Sequence, residues 1–209
     1  MFIVFEGLDG SGKTTHLQRL AAKLEAEQDC WPIVTCEPSN NPVGQLIRQA
    51  LRGEFGLENE TMAMLFAADR YQHVAYEILP ALDADAIVLC DRYYYSNFVY
   101  QGGEPEAFSR LELYNAYAMQ HCKPDIVLFL DVEPAECMRR IAATRTSSER
   151  YDQKLEEMTA FRTRFLSVFE QLKESDRLAV IDANADEDTV AARIWQRIKM
   201  TNKAHDKPQ

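Results

Sequence analysis

Several features that mark whole classes of protein are missing from these 209 residues. No apolar run approaches the roughly 18 residues of a membrane-spanning helix, and no Lys/Arg-rich run offsets the net charge of −10. The five cysteines form no CxxC pair and no Cys/His metal spacing. We therefore expect no membrane and no nucleic acid among the binding partners, and cysteines that stay reduced in the core.

The chain also lacks an internal repeat, a linker and a low-complexity tract. Its 46% hydrophobic and 27% charged residues are globular values, and its length suits one α/β domain. Because a core strand is predicted to begin at Phe2, we expect no signal peptide and a cytoplasmic location. We predict a single domain over residues 1–200 and a polar, disordered tail over residues 201–209.

What the chain does contain is a glycine-dense turn between a predicted strand, residues 2–6, and a predicted amphipathic helix, residues 13 to about 27. The turn matches the phosphate-binding P-loop, GxxxxGKT. Its glycines bring backbone N–H groups close to phosphates, and the helix N-terminus favours an anion. The residues predicted to bind ATP here are Gly7, Gly10, Ser11, Gly12, Lys13, Thr14 and Thr15.

The P-loop lysine and threonine have separate expected roles. We expect Lys13 to reach the β- and γ-phosphates and the Thr14 hydroxyl to lie on Mg²⁺, the predicted cofactor of the donor. The loop predicts a bound nucleotide phosphate but does not identify the acceptor.

Five strand-like runs alternate with helix-patterned segments. They cover residues 2–6, 32–36, 86–90, 126–131 and 179–181. Near-continuous apolar character predicts a parallel sheet covered on both faces. The predicted fold is a three-layer α/β P-loop NTPase fold with a five-stranded parallel sheet, helices on both faces and a short lid at about residues 142–151. Ligands of such sheets bind at the carboxyl ends of the strands.

Two stretches near the second strand carry candidate acceptor-site residues. Glu37 follows that strand and faces the P-loop, where it would hold a sugar hydroxyl or a metal-bound water; an ordinary strand-to-helix turn is an equal alternative. In the predicted helix over residues 60–82, helical spacing places Phe66, Arg70 and His73 on one face. Phe66 and Arg70 suit a nucleobase, although a core Phe beside a solvated Asp-Arg is the alternative, and we expect His73 to be an ordinary surface or packing histidine.

The third strand ends in a carboxylate, an arginine and a group of tyrosines. Asp91 is placed to orient Mg²⁺ or its waters, and the planar fork of Arg92 suits an acceptor phosphate. Four tyrosines within eight residues, together with Ser96 and Gln101, are candidates for a base and sugar pocket. We expect at least two of the four to serve only as amphipathic core.

Four arginines follow the fourth strand within a dozen residues: Arg139, Arg140, Arg145 and Arg150. The polar segment around residues 144–150 suits a mobile lid that supplies positive charge during phosphoryl transfer. We assign Arg145 and Arg150 to that role. Arg140 is a candidate ATP ligand, with a solvated helix face as the alternative for it and for Arg139.

Taken together, residues 6–15, 66–70, 91–93 with Ser96, and 100–102 resemble the thymidylate kinases, and the resemblance extends from residue 2 to about residue 198. It implies an ATP:dTMP phosphotransferase in which Phe66 stacks on thymine and Arg70 binds its edge. It also implies that Asp9 approaches the sugar 3′-hydroxyl, that Arg92 holds the acceptor phosphate, and that Ser96, Tyr100 and Gln101 line the pocket. Members of this family are usually homodimers.

The resemblance also bears on the catalytic arginine. In one branch of the family a basic residue inside the P-loop assists catalysis, and in the other branch the lid supplies it. The P-loop interior here is Leu-Asp-Gly-Ser, with no base. The resemblance therefore implies a lid arginine, with Arg150 as first choice and Arg145 as second.

One departure from the family keeps other acceptors open. Members commonly carry an arginine beside the Glu-Pro of the second loop, whereas this chain has Cys36; Arg48 is a possible substitute. The absence of that arginine favours a second hypothesis, a kinase of the same fold acting on a deoxynucleoside, with Glu37 as base, or on another pyrimidine monophosphate. A third hypothesis is a non-catalytic nucleotide-binding protein.

Overall fold

The computed structural model of the chain describes residues 1–28, 31–104, 106–144 and 151–205. Five parallel strands form one sheet in the order β2-β3-β1-β4-β5. The strands are β1 Phe2–Glu6, β2 Ile33–Cys36, β3 Val88–Asp91, β4 Ile126–Asp131 and β5 Leu178–Asp182. The predicted five-stranded parallel sheet is confirmed, and β1 and β4 have the predicted bounds.

Helices cover both faces of this sheet. They are α1 Lys13–Gln28, α2 Pro42–Leu51, α3 Asn59–His73, α4 Leu79–Asp83, α5 Tyr94–Tyr100, α6 Ala107–His121, α7 Pro134–Thr144, α8 Tyr151–Leu172 and α9 Glu187–His205. Helices α1 and α9 pack on each other and on the sheet, and α5 contacts α3, α6 and α8. Every residue of the central strand β1 is buried between these layers. None of the helices in the described part of the chain is long and apolar enough to cross a membrane.

Two helices differ from the predicted ones. The segment predicted as one helix over residues 60–82 is α3 followed by a π-helical turn, Val74–Ile78, and the short α4. Pro80 in the first turn of α4 has no N–H to donate, and the wider π turn directly before it accommodates that loss. Helix α9 extends to His205, so residues 201–205 of the predicted tail are helical, and residues 206–209 lie outside the described part.

The sheet brings three loops to one edge. Phe5 of β1 and Cys36 of β2 are both in register with Asp91 of β3. Because the strands are parallel, the loops that follow these residues begin side by side. The P-loop, the Glu37 loop and the Arg92 turn therefore surround one cleft, at the position where ligands of open α/β sheets bind.

Candidate active site

The P-loop backbone has the conformation that its glycines permit. Gly7, Gly10 and Gly12 have φ values of 150°, 80° and 92°. A Cβ atom at Gly10 would lie 2.6 Å from the carbonyl oxygen of Cys137 on α7, so the turn can pack against that helix only with glycine there. The glycines thus give the loop a backbone conformation that suits a phosphate chain, and phosphate binding there stays a prediction.

Lys13 lies buried in this loop. Its Nζ donates hydrogen bonds to the carbonyl oxygens of Gly7 and Leu8, at 3.0 and 2.9 Å. Burial and then the charge of Arg92 lower the pKa of Lys13 to about 8, despite the opposing effect of nearby carboxylates. The ammonium group is therefore held over the loop by backbone carbonyl oxygens.

Thr14 and Asp91 form the part of the site that suits a divalent cation. The Thr14 hydroxyl donates to Asp91 Oδ2 at 2.8 Å, while Asp91 Oδ1 is buried and has no hydrogen-bond partner among the described residues. A free carboxylate oxygen beside a P-loop hydroxyl fits Mg²⁺ or its waters. The described residues contain no group of three or more His, Cys, Asp or Glu that could hold a metal by itself. This arrangement fits an ion that arrives with nucleotide phosphates.

A cleft of about 860 Å³ lies between the P-loop, α7 and the end of β5. Its lining includes Gly10, Gly12, Thr15, Arg140 and Asn184. Arg140 pairs with Glu136 at 2.8 Å and donates to the carbonyl oxygen of Ala183 at 3.2 Å. This cleft is the candidate site for the base and ribose of the donor.

The other arginines of the region differ from Arg140. Arg139 pairs with the same Glu136 and lies on an exposed face of α7, which agrees with the alternative of a solvated helix face. The predicted lid residues Arg145 and Arg150 lie outside the described residues, so the roles assigned to them stay predictions.

A second pocket, of about 380 Å³, contains all eight predicted acceptor-binding residues. They are Asp9, Glu37, Phe66, Arg70, Arg92, Ser96, Tyr100 and Gln101. They come from the P-loop, the second loop, α3 and the segment after β3. The structure thus brings together side chains that lie up to 92 positions apart in the sequence, counting from Asp9 to Gln101.

Arg92 is fixed at the mouth of this pocket by an unusual backbone conformation. Its φ of 74° is rare for a residue with a side chain and costs about 1–3 kcal/mol. The guanidinium donates to Asp9 Oδ1 at 2.6 Å, to Ser96 Oγ at 2.9 Å and to Tyr100 Oη at 3.3 Å. Burial alone would lower the pKa of Arg92, but Tyr100, Asp9 and other acidic neighbours raise it. The strained turn thus holds a permanent positive charge beside the P-loop.

The alternative of a solvated Asp-Arg pair in α3 is wrong. Asp69 is buried and accepts hydrogen bonds from Ser39 N and Ser39 Oγ, both at 2.7 Å. Arg70 is also buried: its Nη1 donates to Asn115 Oδ1, and its Nη2 lies 2.6 Å from Glu37 Oε2. That ion pair is close but not aligned as a hydrogen bond, and Arg70 Nε has no acceptor among the described residues. Arg70 nevertheless lines the acceptor pocket, where a guanidinium is suited to bind a ligand carbonyl.

His73 is neither on the surface nor a simple packing residue. It is buried, its Nδ1 lies 3.3 Å from Glu37 Oε1, and its Nε2 lies 2.8 Å from Thr35 Oγ1. Burial opposes the charged ring, but the hydrogen bond and the charge of Glu37, with Glu77 and Asp69, raise the pKa of His73. The sequence left open that Glu37 is an ordinary turn residue. A buried carboxylate beside both Arg70 and His73 does not fit that alternative.

The tyrosines divide as the sequence suggests, two in the acceptor pocket and two outside it. Tyr93 and Tyr100 line the pocket. Tyr94 and Tyr95 instead direct their hydroxyls to Asp176 Oδ2, at 2.8 and 2.6 Å, in the core. Half of the cluster is therefore a buried hydrogen-bond network rather than a ligand surface.

Sequence reasoning missed Glu6, the last residue of β1. It is buried, accepts hydrogen bonds from Tyr93 N at 2.9 Å and from Ser96 Oγ at 2.6 Å, and burial raises its pKa. These bonds position the start of α5 and the Ser96 hydroxyl that meets Arg92. A carboxylate at the end of an otherwise apolar buried strand is the one signal that pointed to it.

Comparison with known proteins agrees with this geometry. The family model described as thymidylate kinase matches residues 5–194. A thymidylate kinase of Rhodopseudomonas palustris is 40% identical over 207 residues, covering 95% of this chain and 88% of the relative. A thymidylate kinase of Staphylococcus haemolyticus is 36% identical over 200 residues, covering 94% of this chain and 96% of the relative. A probable thymidylate kinase of Pyrococcus abyssi is 36% identical over 203 residues, covering 95% of each chain. The chain therefore belongs to the thymidylate kinase family.

Proposed function

We propose that the protein transfers the γ-phosphate of ATP to dTMP, giving ADP and dTDP. One observation carries the proposal: a single pocket contains all eight predicted acceptor residues and adjoins the cleft above the P-loop, which lies between the P-loop, the Glu37 loop and Arg92. The pocket and this cleft share four lining residues: Asp9, Glu37, Pro38 and Arg92. An acceptor bound with its base in the pocket has its phosphate directed at the donor.

The pocket wall suits a thymine base. Phe66 provides a half-buried ring for stacking, and the guanidinium-bearing side chain of Arg70 lines the same pocket. We expect that guanidinium to bind a carbonyl oxygen at the edge of the base. Arg92 holds the acceptor phosphate, and Ser96, Tyr100 and Gln101 line the space around the base and deoxyribose.

Donor phosphates lie over the P-loop, where Lys13 moves from the loop carbonyls to the β- and γ-phosphates. We propose that Thr14 and Asp91 would hold Mg²⁺, which would supply positive charge to the donor phosphates when bound. Positioning and charge stabilisation supply most of the rate, so we expect no covalent intermediate. From the sequence we assign the arginine that stabilises the transferring group to residues 145–150, with Arg150 ahead of Arg145. Replacement of Arg150 by Ala should lower kcat more than replacement of Arg145 does.

An ADP-release assay with ATP·Mg²⁺ and a panel of acceptors tests the proposal. We expect preference for dTMP over dUMP, dCMP and dGMP, and no turnover of thymidine. Turnover of thymidine but not of dTMP would instead support a deoxynucleoside kinase with Glu37 as base. In that case Glu37→Gln would lower kcat by several orders of magnitude with little effect on nucleotide binding. Absence of transfer to any acceptor would leave a non-catalytic nucleotide-binding protein.

We also propose a homodimer that buries one face of α3 and α6. Met64, Tyr71 and Leu113 are exposed there, and a groove of about 280 Å³ runs beside Tyr71 and Tyr117, whose rings are 4.2 Å apart. Sedimentation of the protein and of Tyr71→Glu tests this: a dimer that the variant disrupts supports the proposal, and a monomeric parent contradicts it. The cytoplasmic location stays a prediction from the sequence.

A further inference from the structure

A buried chain of side chains runs from β2 to the acceptor pocket behind its ligand-facing wall. In order, it consists of Thr35, His73, Glu37 and Arg70, with successive separations of 2.8, 3.3 and 2.6 Å. His73, Glu37 and Arg70 are each at most 4% exposed. Only the last two line the acceptor pocket, so His73 is one contact removed from any substrate.

Glu37 has the central position in this chain. Its carboxylate is the counter-charge for the buried Arg70 guanidinium, and a buried guanidinium without a counter-charge is costly. Glu37 Oε2 forms the ion pair with Arg70 Nη2, which is close but not aligned as a hydrogen bond. A second contact orients the carboxylate from the other side, where His73 Nδ1 lies 3.3 Å from Oε1.

Thr35 sets the orientation of His73. When the Thr35 hydroxyl donates to Nε2, the neutral ring carries its proton on Nδ1, where it points at Glu37. When the ring is protonated, Nδ1–H still points at Glu37, and Nε2–H faces Thr35 and Glu77 Oε2, at 3.7 Å. In both states His73 therefore donates toward Glu37.

We propose that His73 is a positioning residue for the acceptor site: it fixes Glu37, and through Glu37 it fixes the Arg70 guanidinium that binds the edge of the base. The inference rests on the proposed function, since it takes Arg70 as the residue that reads the base. It assigns a base-selecting role to a side chain that does not touch the substrate.

Kinetics of His73→Phe and His73→Gln test the proposal. Phe fills the space but donates nothing, and we expect it to raise KM for dTMP about tenfold, with KM for ATP and kcat within about twofold. Tenfold corresponds to about 1.4 kcal/mol, close to the lower end of the range for one hydrogen bond to a charged group. Gln can donate to Glu37 and should restore most of the loss. The exposed His121→Phe is the control and should leave both KM values unchanged. A merely structural histidine would lower the melting temperature without a selective change in KM for the acceptor.

A double-variant cycle asks whether the effect passes through Glu37. On the Glu37→Gln background, His73→Phe should add little to the increase in KM for dTMP. Additive effects of the two substitutions would overturn the proposal, as would equal increases in KM for dTMP and ATP.

An NMR titration of the His73 ring measures its coupling to Glu37 without substrate. The ring should titrate above its ordinary pKa in the parent protein, and that pKa should fall in Glu37→Gln; an unchanged pKa would overturn the coupling. If the parent protein phosphorylates thymidine but not dTMP, the proposed function fails. The kinetic comparison is then made with thymidine, where the same selective change in acceptor KM still decides the role of His73.

Discussion

Arg48 Nη2 lies 3.4 Å from Cys36 Sγ and also donates to the carbonyl oxygen of Pro38. Cys36 is the position at which the family resemblance implies an arginine. Arg48 extends to Cys36 from α2 and lines the cleft above the P-loop together with Lys13 and Arg92. We therefore propose that Arg48 takes the role of the expected arginine, which would favour a phosphorylated acceptor over a nucleoside.

Replacement of Arg48 by Ala should weaken acceptor binding selectively. Loss of one charged hydrogen bond costs about 1.5–3 kcal/mol, so we expect KM for dTMP to rise about tenfold to a hundredfold, with KM for ATP unchanged. Arg52→Ala, one turn further along and paired with Glu54 on the surface, is the matched control. Introducing Cys36→Arg into Arg48→Ala should recover much of the loss. If the Arg48→Ala variant kept the parent KM for dTMP, Arg48 would not have the role of the arginine expected at position 36.

The lowered pKa of Lys13, about 8, predicts a proton uptake when ATP binds. Phosphates favour the ammonium form, so binding above about pH 8 must protonate the lysine, and affinity should fall about tenfold per pH unit there. Calorimetry in two buffers of different ionisation enthalpy should show uptake at about pH 8.5 and almost none at about pH 6.5. In Lys13→Arg the guanidinium stays charged, and the uptake should disappear. Equal uptake at both pH values would contradict the assignment to Lys13.

Local patterns explain how much of this protein could be predicted from its sequence. Strands β1 and β4 are apolar runs covered on both faces, and the ends of these runs in the sequence predicted their bounds. The P-loop is a contiguous motif whose glycines determine its backbone. Six of the eight acceptor residues were predicted from their positions after a strand or on one helix face. The family resemblance added Asp9 and Tyr100 and supplied the specific roles.

Hydrogen bonds between distant residues explain what was missed. Glu6 bonds to residues 87 and 90 positions away, and His73 meets Glu37 across 36 positions. No periodicity encodes such contacts, and a histidine on a helix face has the same pattern whether it faces water or a carboxylate. The reach of Arg48 to Cys36 likewise depends on how α2 packs beside β2.

The Tyr94–Tyr95–Asp176 network should affect stability and not catalysis. Tyr95→Phe removes one of two donors to a buried carboxylate oxygen, and we expect it to lower the free energy of unfolding by about 1 kcal/mol. The double variant with Tyr94→Phe should cost more than the sum of the single changes, because Asp176 Oδ2 then has no tyrosine donor. Urea denaturation measures both effects. KM for dTMP should stay at the parent value, whereas Tyr100→Phe, in the pocket, should raise it.

The raised pKa of His73 predicts a stabilising contribution that depends on pH. The pKa of His73 is higher in the folded protein than in the unfolded chain, where it is about 6.5. Its protonation therefore stabilises the fold fully below the unfolded pKa, and this contribution is lost as pH rises through the folded pKa. The difference in free energy of unfolding between the parent protein and His73→Gln, which does not titrate, should therefore be larger at about pH 6 than at about pH 8.5.

Urea denaturation at constant ionic strength over that range measures the difference, and comparison with a variant cancels the titration of the other groups. The same comparison on the Glu37→Gln background should show a weaker pH dependence, because the carboxylate that favours the charged ring is gone. Since burial by itself disfavours the charged ring, a difference that grows with increasing pH would mean that desolvation outweighs Glu37, and that the histidine is held neutral in the folded protein.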